Sequence, residues 1–91
     1  MRELRASSTF KRDLKALSRQ RKRSVDVLNL VVDALRRGDS LEIRDRDHAL
    51  KGTWAPAREC HAEPDLLLVY ERDADELRLI RVGSHAELFG R

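Results

Sequence analysis

The sequence predicts an α+β fold in which a short N-terminal strand and a helical hairpin pack on one face of an antiparallel sheet. Two stretches with apolar residues at helical spacing occupy the first 38 positions, and three strand-like segments joined by tight turns follow. Strands joined by short turns pair antiparallel, and the apolar face of such a sheet has to be covered, here by the helices. The 91 residues are the length of one small domain, predicted to span 1–91.

The N-terminal segment is predicted to form a strand at 2–6, followed by a first helix. Hydroxyl residues at 7–9 offer side-chain oxygens for the N-cap. Phe10, Leu14 and Leu17 then recur every three or four residues, which places them on one apolar stripe.

A second helix is predicted after a polar, basic connection at 18–23. Ser24 is the candidate N-cap, and Gly38 is a typical residue to end the helix after two arginines in its last turn. The apolar positions are numerous, so this helix is expected to be mostly buried. They are a stripe of Val25, Leu28, Val32 and Leu35, widened by Val27, Leu30 and Val31.

The second half of the chain is predicted to contribute the rest of the sheet. A charged, irregular segment at 39–52 and a loop at 53–57 come first. Predicted strands at 58–62, 66–70 and 77–82 follow, then Gly83 and a short turn or helix from Ser84 or His85, anchored by Leu88 and Phe89. The middle strand is continuously apolar, as expected for a central strand.

The net charge of +3 is distributed unevenly along the chain. The first 23 residues carry nine basic and two acidic side chains, a net charge of +7, whereas the remainder carries ten basic and fourteen acidic ones, a net charge of −4. A basic block is typical of proteins that bind nucleic acid. A solvated helix surface or an acidic protein partner would account for it as well.

Several classes of protein are disfavoured by what the sequence lacks. It has no apolar run long enough for a membrane span and no recognisable signal peptide, so we expect a cytoplasmic protein. One cysteine, Cys60, cannot form an internal disulfide. The isolated glycines match no nucleotide-binding loop and no serine-hydrolase elbow. Aromatic residues make up 4%, too few for a base-stacking platform.

All three histidines lie in the second half of the chain, on different predicted elements: His48, His61 and His85. Histidine takes and gives protons near neutral pH. Together with Asp65 and the basic N-terminal half, these residues suggest proton-transfer chemistry on a phosphate-rich partner, with chance placement as the alternative. Their spacing is long and irregular, so no metal site and no cofactor are predicted.

Neighbouring side chains on a strand point to opposite faces. Cys60 and His61 should therefore point apart, which argues against a cysteine–histidine pair and predicts a buried, inert Cys60. His61 should share with Glu59 a sheet face that the helices leave uncovered, which would serve as a binding floor. Asp65 follows a proline that fixes its direction, although a turn aspartate that bonds its own backbone is an alternative. His48 and His85 could equally be surface residues.

Three segments resemble the YafQ branch of the RelE/ParE toxin superfamily: DHALKGTW, ARECHAEPDLLLVY and LRLIRVGSHAELFG. The likeness is strong from His48 to Gly90, and in the N-terminal helices only the pattern and the basicity match. The resemblance implies a RelE-like fold, with a helical hairpin on a twisted antiparallel sheet. It also implies an endoribonuclease that cuts mRNA in the ribosomal A site and is held inactive by a cognate antitoxin, in a toxin–antitoxin hetero-oligomer.

The resemblance further implies a set of active-site residues, which fall here on His48, His61, Asp65, His85 and Phe89. Leu66 stands where the family relative has tryptophan, so the ring that could stack there is missing. Arg81 matches a basic position of the family.

These residue types suit RNA cleavage without a metal, which needs a base for the 2′-hydroxyl, an acid for the leaving 5′-oxygen and positive charge near the phosphate. We assign His85 as acid or phosphate binder, and Asp65 or His61 as base. His48 is their less certain partner. Arg81 would offset negative charge, and Phe89 would order a base by stacking.

The basic block is predicted to touch ribosomal RNA or an acidic antitoxin segment through Arg21, Lys22 and Arg23. Two other functions remain open from the sequence: a non-enzymatic toxin of the same fold that binds a protein such as DNA gyrase, as the ParE branch does, and a basic RNA-binding module without activity.

Overall fold

The backbone folds into a mixed sheet with two long helices on one face, as seen in a computed structural model that describes residues 1–39, 48–50, 52 and 56–90. The elements in chain order are β1 (Glu3–Ala6), α1 (Ser8–Gln20), α2 (Lys22–Arg37), β2 (His48–Ala49), β3 (Arg58–Glu63), β4 (Leu66–Arg72), β5 (Glu76–Gly83) and α3 (His85–Phe89). The predicted α+β fold is confirmed. Among the described residues, no helix combines the length and apolarity needed to cross a membrane.

The five strands of the described residues lie in the order β1-β5-β4-β3-β2. The pairs β3–β4 and β4–β5 are antiparallel, as predicted, and β3 also pairs antiparallel with β2, a strand that was not predicted. The edge strand β1 instead runs parallel to β5, with Glu3 opposite Glu76. A tight turn dictates the direction only of the strands that it joins, and no such turn joins β1 to β5.

The first helix begins and packs as its sequence predicts. Ser7 is the N-cap, and its hydroxyl accepts a 2.9 Å hydrogen bond from the Phe10 backbone N–H. Phe10 and Leu17 are buried and Leu14 packs partly against the same core. The apolar stripe therefore fixes the face of α1 that lies on the sheet.

The connection predicted at 18–23 is wrong, because Arg21 alone separates the two helices. Its N–H donates to the Leu17 carbonyl, and its own carbonyl accepts from Ser24. Ser24 lies inside α2 and is not the N-cap. Its hydroxyl donates a 2.6 Å hydrogen bond to Glu63 at the end of β3, and this tertiary bond replaces the predicted cap.

The second helix is less buried than predicted. Its stripe is confirmed, with Leu28, Val32 and Leu35 in the core. Leu30, predicted to widen that stripe, is 71% exposed, because it lies about 200° around the helix from Leu28. The helix ends at Gly38, whose φ of 85° is in the left-handed region that glycine adopts readily.

Side chains of β4 alternate between two apolar clusters. Leu68 and Tyr70 face the core under α1 and α2, whereas Leu67 and Val69 face the other side. The face predicted to be uncovered is therefore partly covered. Its cover comes from α3 and from residues near β3 and on β5, among them Leu50, Ala57, Ile80, Leu88 and Phe89.

The segment predicted as irregular at 39–52 contains the two-residue strand β2. The rest of that segment at 40–47 and at position 51, and the loop at 53–55 with Trp54, lie outside the described residues.

The turn between β4 and β5 is held by the carboxylate of Asp73. It accepts 2.8 Å hydrogen bonds from the backbone N–H groups of Asp75 and Glu76, and one of 3.0 Å from Arg78. These bonds, with that from Arg78 the largest influence, lower the pKa of Asp73 from 3.8 to about 2. Each stabilises the ionised form of the carboxyl group.

We expect the stabilising effect of Asp73 to disappear in acid. A carboxyl whose pKa is lower in the folded state contributes stability fully above its unfolded pKa, and the contribution is lost as the pH falls through the folded pKa. Wild type and Asp73→Asn should therefore differ in free energy of unfolding above pH 4 and converge between about pH 4 and pH 2. Urea unfolding at a series of pH values measures this difference. Asp75→Asn in the same turn is the control, and a difference between wild type and Asp73→Asn that does not change with pH would contradict the expectation.

Candidate active site

Three elements bring the predicted site residues to one end of the sheet. These are the end of β3, the Pro64-Asp65 turn that follows it, and the end of β5 with the start of α3. Leu67 pairs with Gly83 across β4 and β5, which places the Asp65 turn beside His85. The capping box of Ser84 and Glu87 fixes where α3 begins and so where the His85 ring lies.

Asp65 and His85 form the best-defined pair of this site. One carboxylate oxygen, Oδ1, accepts a 3.0 Å hydrogen bond from the His85 backbone N–H and lies 2.8 Å from Nδ1 of the ring. Both side chains are solvent-accessible, 63% exposed for Asp65 and 44% for His85. Since the carboxylate engages Nδ1, the other ring nitrogen, Nε2, is the one available to a substrate.

The hydrogen bond from the His85 backbone, followed by that from the His85 ring, lowers the pKa of Asp65 below its ordinary value of 3.8. The positive charge of Arg21 acts in the same direction. The carboxylate is therefore ionised at neutral pH and bonds His85, whereas the turn alternative would have it bond its own backbone.

We expect the Asp65 pKa to rise towards 3.8 in His85→Ala, because the variant removes the ring bond and the ring charge while the backbone N–H remains. Carbon-detected NMR titration of the carboxyl group reports this value directly. Leu30→Ala, a change on the exposed side of α2, is the control and should leave the Asp65 titration in place. An unchanged Asp65 titration in His85→Ala would contradict the contact.

His61 lies behind this pair and is buried, with 7% exposure. Its Nε2 lies 3.3 Å from a carboxylate oxygen of Glu59, which is buried as well. The rings of His61 and His85 meet edge to face, with centroids 5.5 Å apart. Four side chains therefore form one connected series: Glu59, His61, His85 and Asp65.

The strand alternation predicted around His61 is confirmed. Cys60 faces the helical core and is fully buried, while His61 shares the opposite face with Glu59. His61 is not an exposed binding floor, however. Glu59 was not among the predicted site residues, although its position two residues before His61 on one strand face was the available signal.

Glu59, His61 and His85 also form a possible metal-binding group. One ligand atom from each lies within 4.8 Å of the others. Two imidazoles and a carboxylate are donors that suit zinc or copper. The spacing of these residues in the sequence did not indicate this group. His85 lies more than twenty residues after the end of β3 and approaches that strand only in the folded protein.

Arg81, predicted to bind phosphate, forms a two-pronged ion pair with Asp13 of α1. Its Nε and Nη2 each donate a 2.9 Å hydrogen bond, and Asp13 also accepts from the Val82 backbone N–H. The pairing with Asp13 raises the pKa of Arg81 above its usual range. Its third nitrogen, Nη1, has no hydrogen-bond partner among the described residues.

The structure says less about the two remaining predicted site residues, His48 and Phe89. His48 lies opposite Glu59 in the β2–β3 pair, and its side chain is outside the described part of the structure. Phe89 packs partly against the cluster on the second face of the sheet, so part of its ring is already in contact with protein.

The predicted basic triplet lies at the junction of α1 and α2. Arg21 pairs with Glu63 at 3.0 Å, whereas Lys22 and Arg23 are exposed. Because Arg21 also affects the carboxylate of Asp65, this junction borders the site.

Comparison with known proteins identifies the family of this chain. The family described as bacterial toxin of type II toxin-antitoxin system, YafQ, matches residues 2–90. The mRNA interferase toxin YafQ of Escherichia coli K12 is 33% identical over 98% of this chain and 97% of its own. The E. coli DinJ–YafQ complex superposes with a TM-score of 0.88 at 32% identity, over 99% of this chain and 100% of that one. A copper-bound mutant toxin from Helicobacter pylori gives 0.89 at 45% identity, over 98% and 100%.

The fold and the family match thus define a small toxin of the type II toxin–antitoxin class. More particularly, the chain belongs to the YafQ toxin family.

Proposed function

We propose that this protein is an mRNA interferase, an endoribonuclease toxin that cuts mRNA in the ribosomal A site of the cytoplasm. The observation that carries the proposal is the Asp65–His85 pair, in which a carboxylate 2.8 Å from Nδ1 leaves Nε2 of an accessible histidine to meet the substrate. The E. coli relative is itself an mRNA interferase.

In the proposed reaction, His85 acts as the general acid. A base takes the proton of the ribose 2′-hydroxyl, the 2′-oxygen attacks the phosphorus, and the 5′-oxygen leaves with a proton from Nε2 of His85. The products are a 2′,3′-cyclic phosphate and a 5′-hydroxyl. A positioned acid or base of this kind contributes about 10²- to 10⁴-fold to the rate.

For the base, the geometry favours His61 over Asp65. The Asp65 oxygen Oδ1 is engaged by His85, so Asp65 serves to orient that ring. His61 has a carboxylate oxygen of Glu59 3.3 Å from Nε2, which holds the ring in place. The Nη1 group of Arg81 is the proposed source of positive charge for the phosphate.

The proposed mechanism needs no metal, because side chains supply the acid, the base and the charge. A metal held by Glu59, His61 and His85 is a second possibility, favoured by their 4.8 Å grouping and by the copper-bound H. pylori relative. A chelator selective for zinc and copper over magnesium distinguishes the metal-free mechanism from the metal-dependent one, because it leaves the magnesium that the ribosome needs. Cleavage that survives the chelator supports the metal-free mechanism, and cleavage restored only by added metal contradicts it.

Primer extension on a translated mRNA, with purified ribosomes and the purified protein, tests the function itself. Discrete cuts within the A-site codon that appear only with ribosomes and carry 5′-hydroxyl ends would support the proposal. A folded protein that makes no cuts would overturn it. Cuts that do not need ribosomes would support an endoribonuclease but would contradict cleavage in the ribosomal A site.

A cognate antitoxin is the proposed inhibitor, by analogy with the DinJ–YafQ complex of E. coli. We also propose that the basic triplet at the α1–α2 junction touches ribosomal RNA or an acidic antitoxin segment. Lysine and arginine contacts to phosphates supply affinity that falls steeply with salt.

Reversing the charge of Arg21, Lys22 and Arg23 is therefore expected to weaken ribosome or antitoxin binding by about tenfold or more at low salt. Binding measured at several salt concentrations should show a shallower salt dependence for the variant. Reversal of Lys11, Arg12 and Lys15, which are exposed on α1, changes the net charge equally and is the matched control. Equal losses in the two variants would point to net charge, and no loss in either would make the triplet solvated surface only.

A further inference from the structure

A cavity of about 320 Å³ opens beside the Asp65–His85 pair, between the second half of α1, the end of β5 and the start of α3. Ser84, on its wall, directly precedes His85 in the chain. Arg21, which also lines the cavity, pairs with Glu63, two residues before Asp65. Two residues of the cavity wall therefore adjoin the site, Ser84 through the chain and Arg21 through its ion pair.

The charges on the cavity wall are balanced. Two arginines, Arg21 and Arg81, face two carboxylates, Asp13 and Glu87, and Asp13 is already paired with Arg81. A site built for a phosphate would carry an excess of positive charge. Balanced walls suit a neutral ligand that both donates and accepts hydrogen bonds.

Hydrogen-bonding groups remain available on this wall. The Gln20 amide offers a donor and an acceptor and has no hydrogen bond to any described residue. Glu87 uses Oε1 to cap α3, which leaves Oε2 as a further acceptor. Leu17 and Val82 add buried apolar surface for the faces of a flat ring.

We propose that this cavity is a nucleobase subsite, which receives a base of the mRNA next to the scissile phosphate and reads its edge through Gln20. Unstacked bases of single-stranded RNA are recognised in this way, by hydrogen bonds to the edge and apolar contact with the face. The inference rests on the proposed function, since it assigns a nucleotide preference to the same cleavage site.

Two variants test the subsite from independent directions. Gln20→Leu keeps the size of the side chain but removes its hydrogen bonds. Ala16→Phe fills the cavity from an exposed position of α1, where a larger side chain leaves the core untouched. Ser18→Phe adds the same ring at an exposed α1 position that does not line the cavity, and it is the matched control.

Cuts are mapped on a library of translated mRNAs in which the nucleotides around the A-site codon are randomised. In both variants we expect the wild-type preference at one nucleotide beside the cut to weaken by about three- to tenfold, the effect of one lost hydrogen bond. Preferences at other positions, and those of Ser18→Phe, should match wild type. Folded Gln20→Leu and Ala16→Phe proteins that keep every wild-type preference would overturn the inference. Weaker antitoxin binding with unchanged cleavage would overturn it too, by assigning the cavity to the antitoxin.

Failure of the proposed function itself gives a different result, because wild type would then make no cuts. The subsite is in that case tested by titrating short 2′-O-methyl RNAs, which cannot be cleaved, into isotope-labelled wild-type protein. Base-dependent NMR shifts of the Gln20 amide and of the Gly83 and Ser84 backbone would support it. No shift at these groups with any of the four bases would overturn it.

Discussion

Replacing His85 by alanine is expected to lower the rate of RNA cleavage by about 10²- to 10⁴-fold, the contribution of a positioned general acid. The ring is 44% exposed and belongs to neither apolar cluster, so its loss should leave the fold intact. Primer extension under single-turnover conditions measures the rate, and circular dichroism confirms the fold. Cleavage within a few-fold of wild type would remove His85 from the reaction.

His85→Gln distinguishes proton transfer from simple hydrogen bonding at this position. The glutamine amide can still bond Asp65 but cannot transfer a proton at neutral pH. A loss as large as that of His85→Ala indicates general acid catalysis, whereas near-normal cleavage by His85→Gln would make His85 a binding group. Asp65→Asn should lower the rate less than either, because it leaves the ring in place and removes only the charge that orients it.

Leu28→Ala is expected to destabilise the protein by about 2–5 kcal/mol, the usual effect of removing a large side chain from a core. Leu28 is 1% exposed and packs between α2 and the sheet. Leu30, two positions along the same helix, is 71% exposed. Leu30→Ala removes the same atoms from the surface and should change stability by about 0.5 kcal/mol or less.

Chemical denaturation of the two variants gives both free energies of unfolding. To avoid toxicity during expression, both can be made in the His85→Ala background, since His85 is remote from the core of α2. Equal effects would mean that α2 faces the sheet differently from the arrangement described above. A large effect of Leu30→Ala alone would likewise contradict the described orientation of α2.

The sequence predicts those parts of the fold that depend on local chemistry. Tight turns at Pro64 and Asp73 join neighbouring strands. The alternation of side chains along β3 places Cys60 and His61 on opposite faces of the sheet. The hydroxyl of Ser7 caps the start of α1. Each of these rests on residues near one another in the chain, where turn geometry, capping and period decide the outcome.

Features that depend on distant contacts could not be predicted. Ser24 was expected to cap α2, but it bonds Glu63, which is 39 residues away. The ion pair of Arg81 with Asp13, which is 68 residues away in the chain, was likewise not predicted, whereas the phosphate role of Arg81 stays a prediction. The resemblance to known toxins supplied His61, Asp65 and His85 as a set, whereas the contribution of Glu59 emerged only from the packing of the two histidines.

The parallel pairing of β1 with β5 sets a sequence of events for the newly made chain. Glu3 can pair with Glu76 only once Glu76 has been made, so β1 joins the sheet only after seventy-three further residues have been synthesised. Contacts this distant in the chain slow folding, since the long loop has to be closed before they form. His85 follows directly after that strand. A ribosome that translates this protein therefore has to pass β5 and His85 before the edge of the sheet can close and the Asp65–His85 pair can form, so the proposed site assembles late relative to the two long helices.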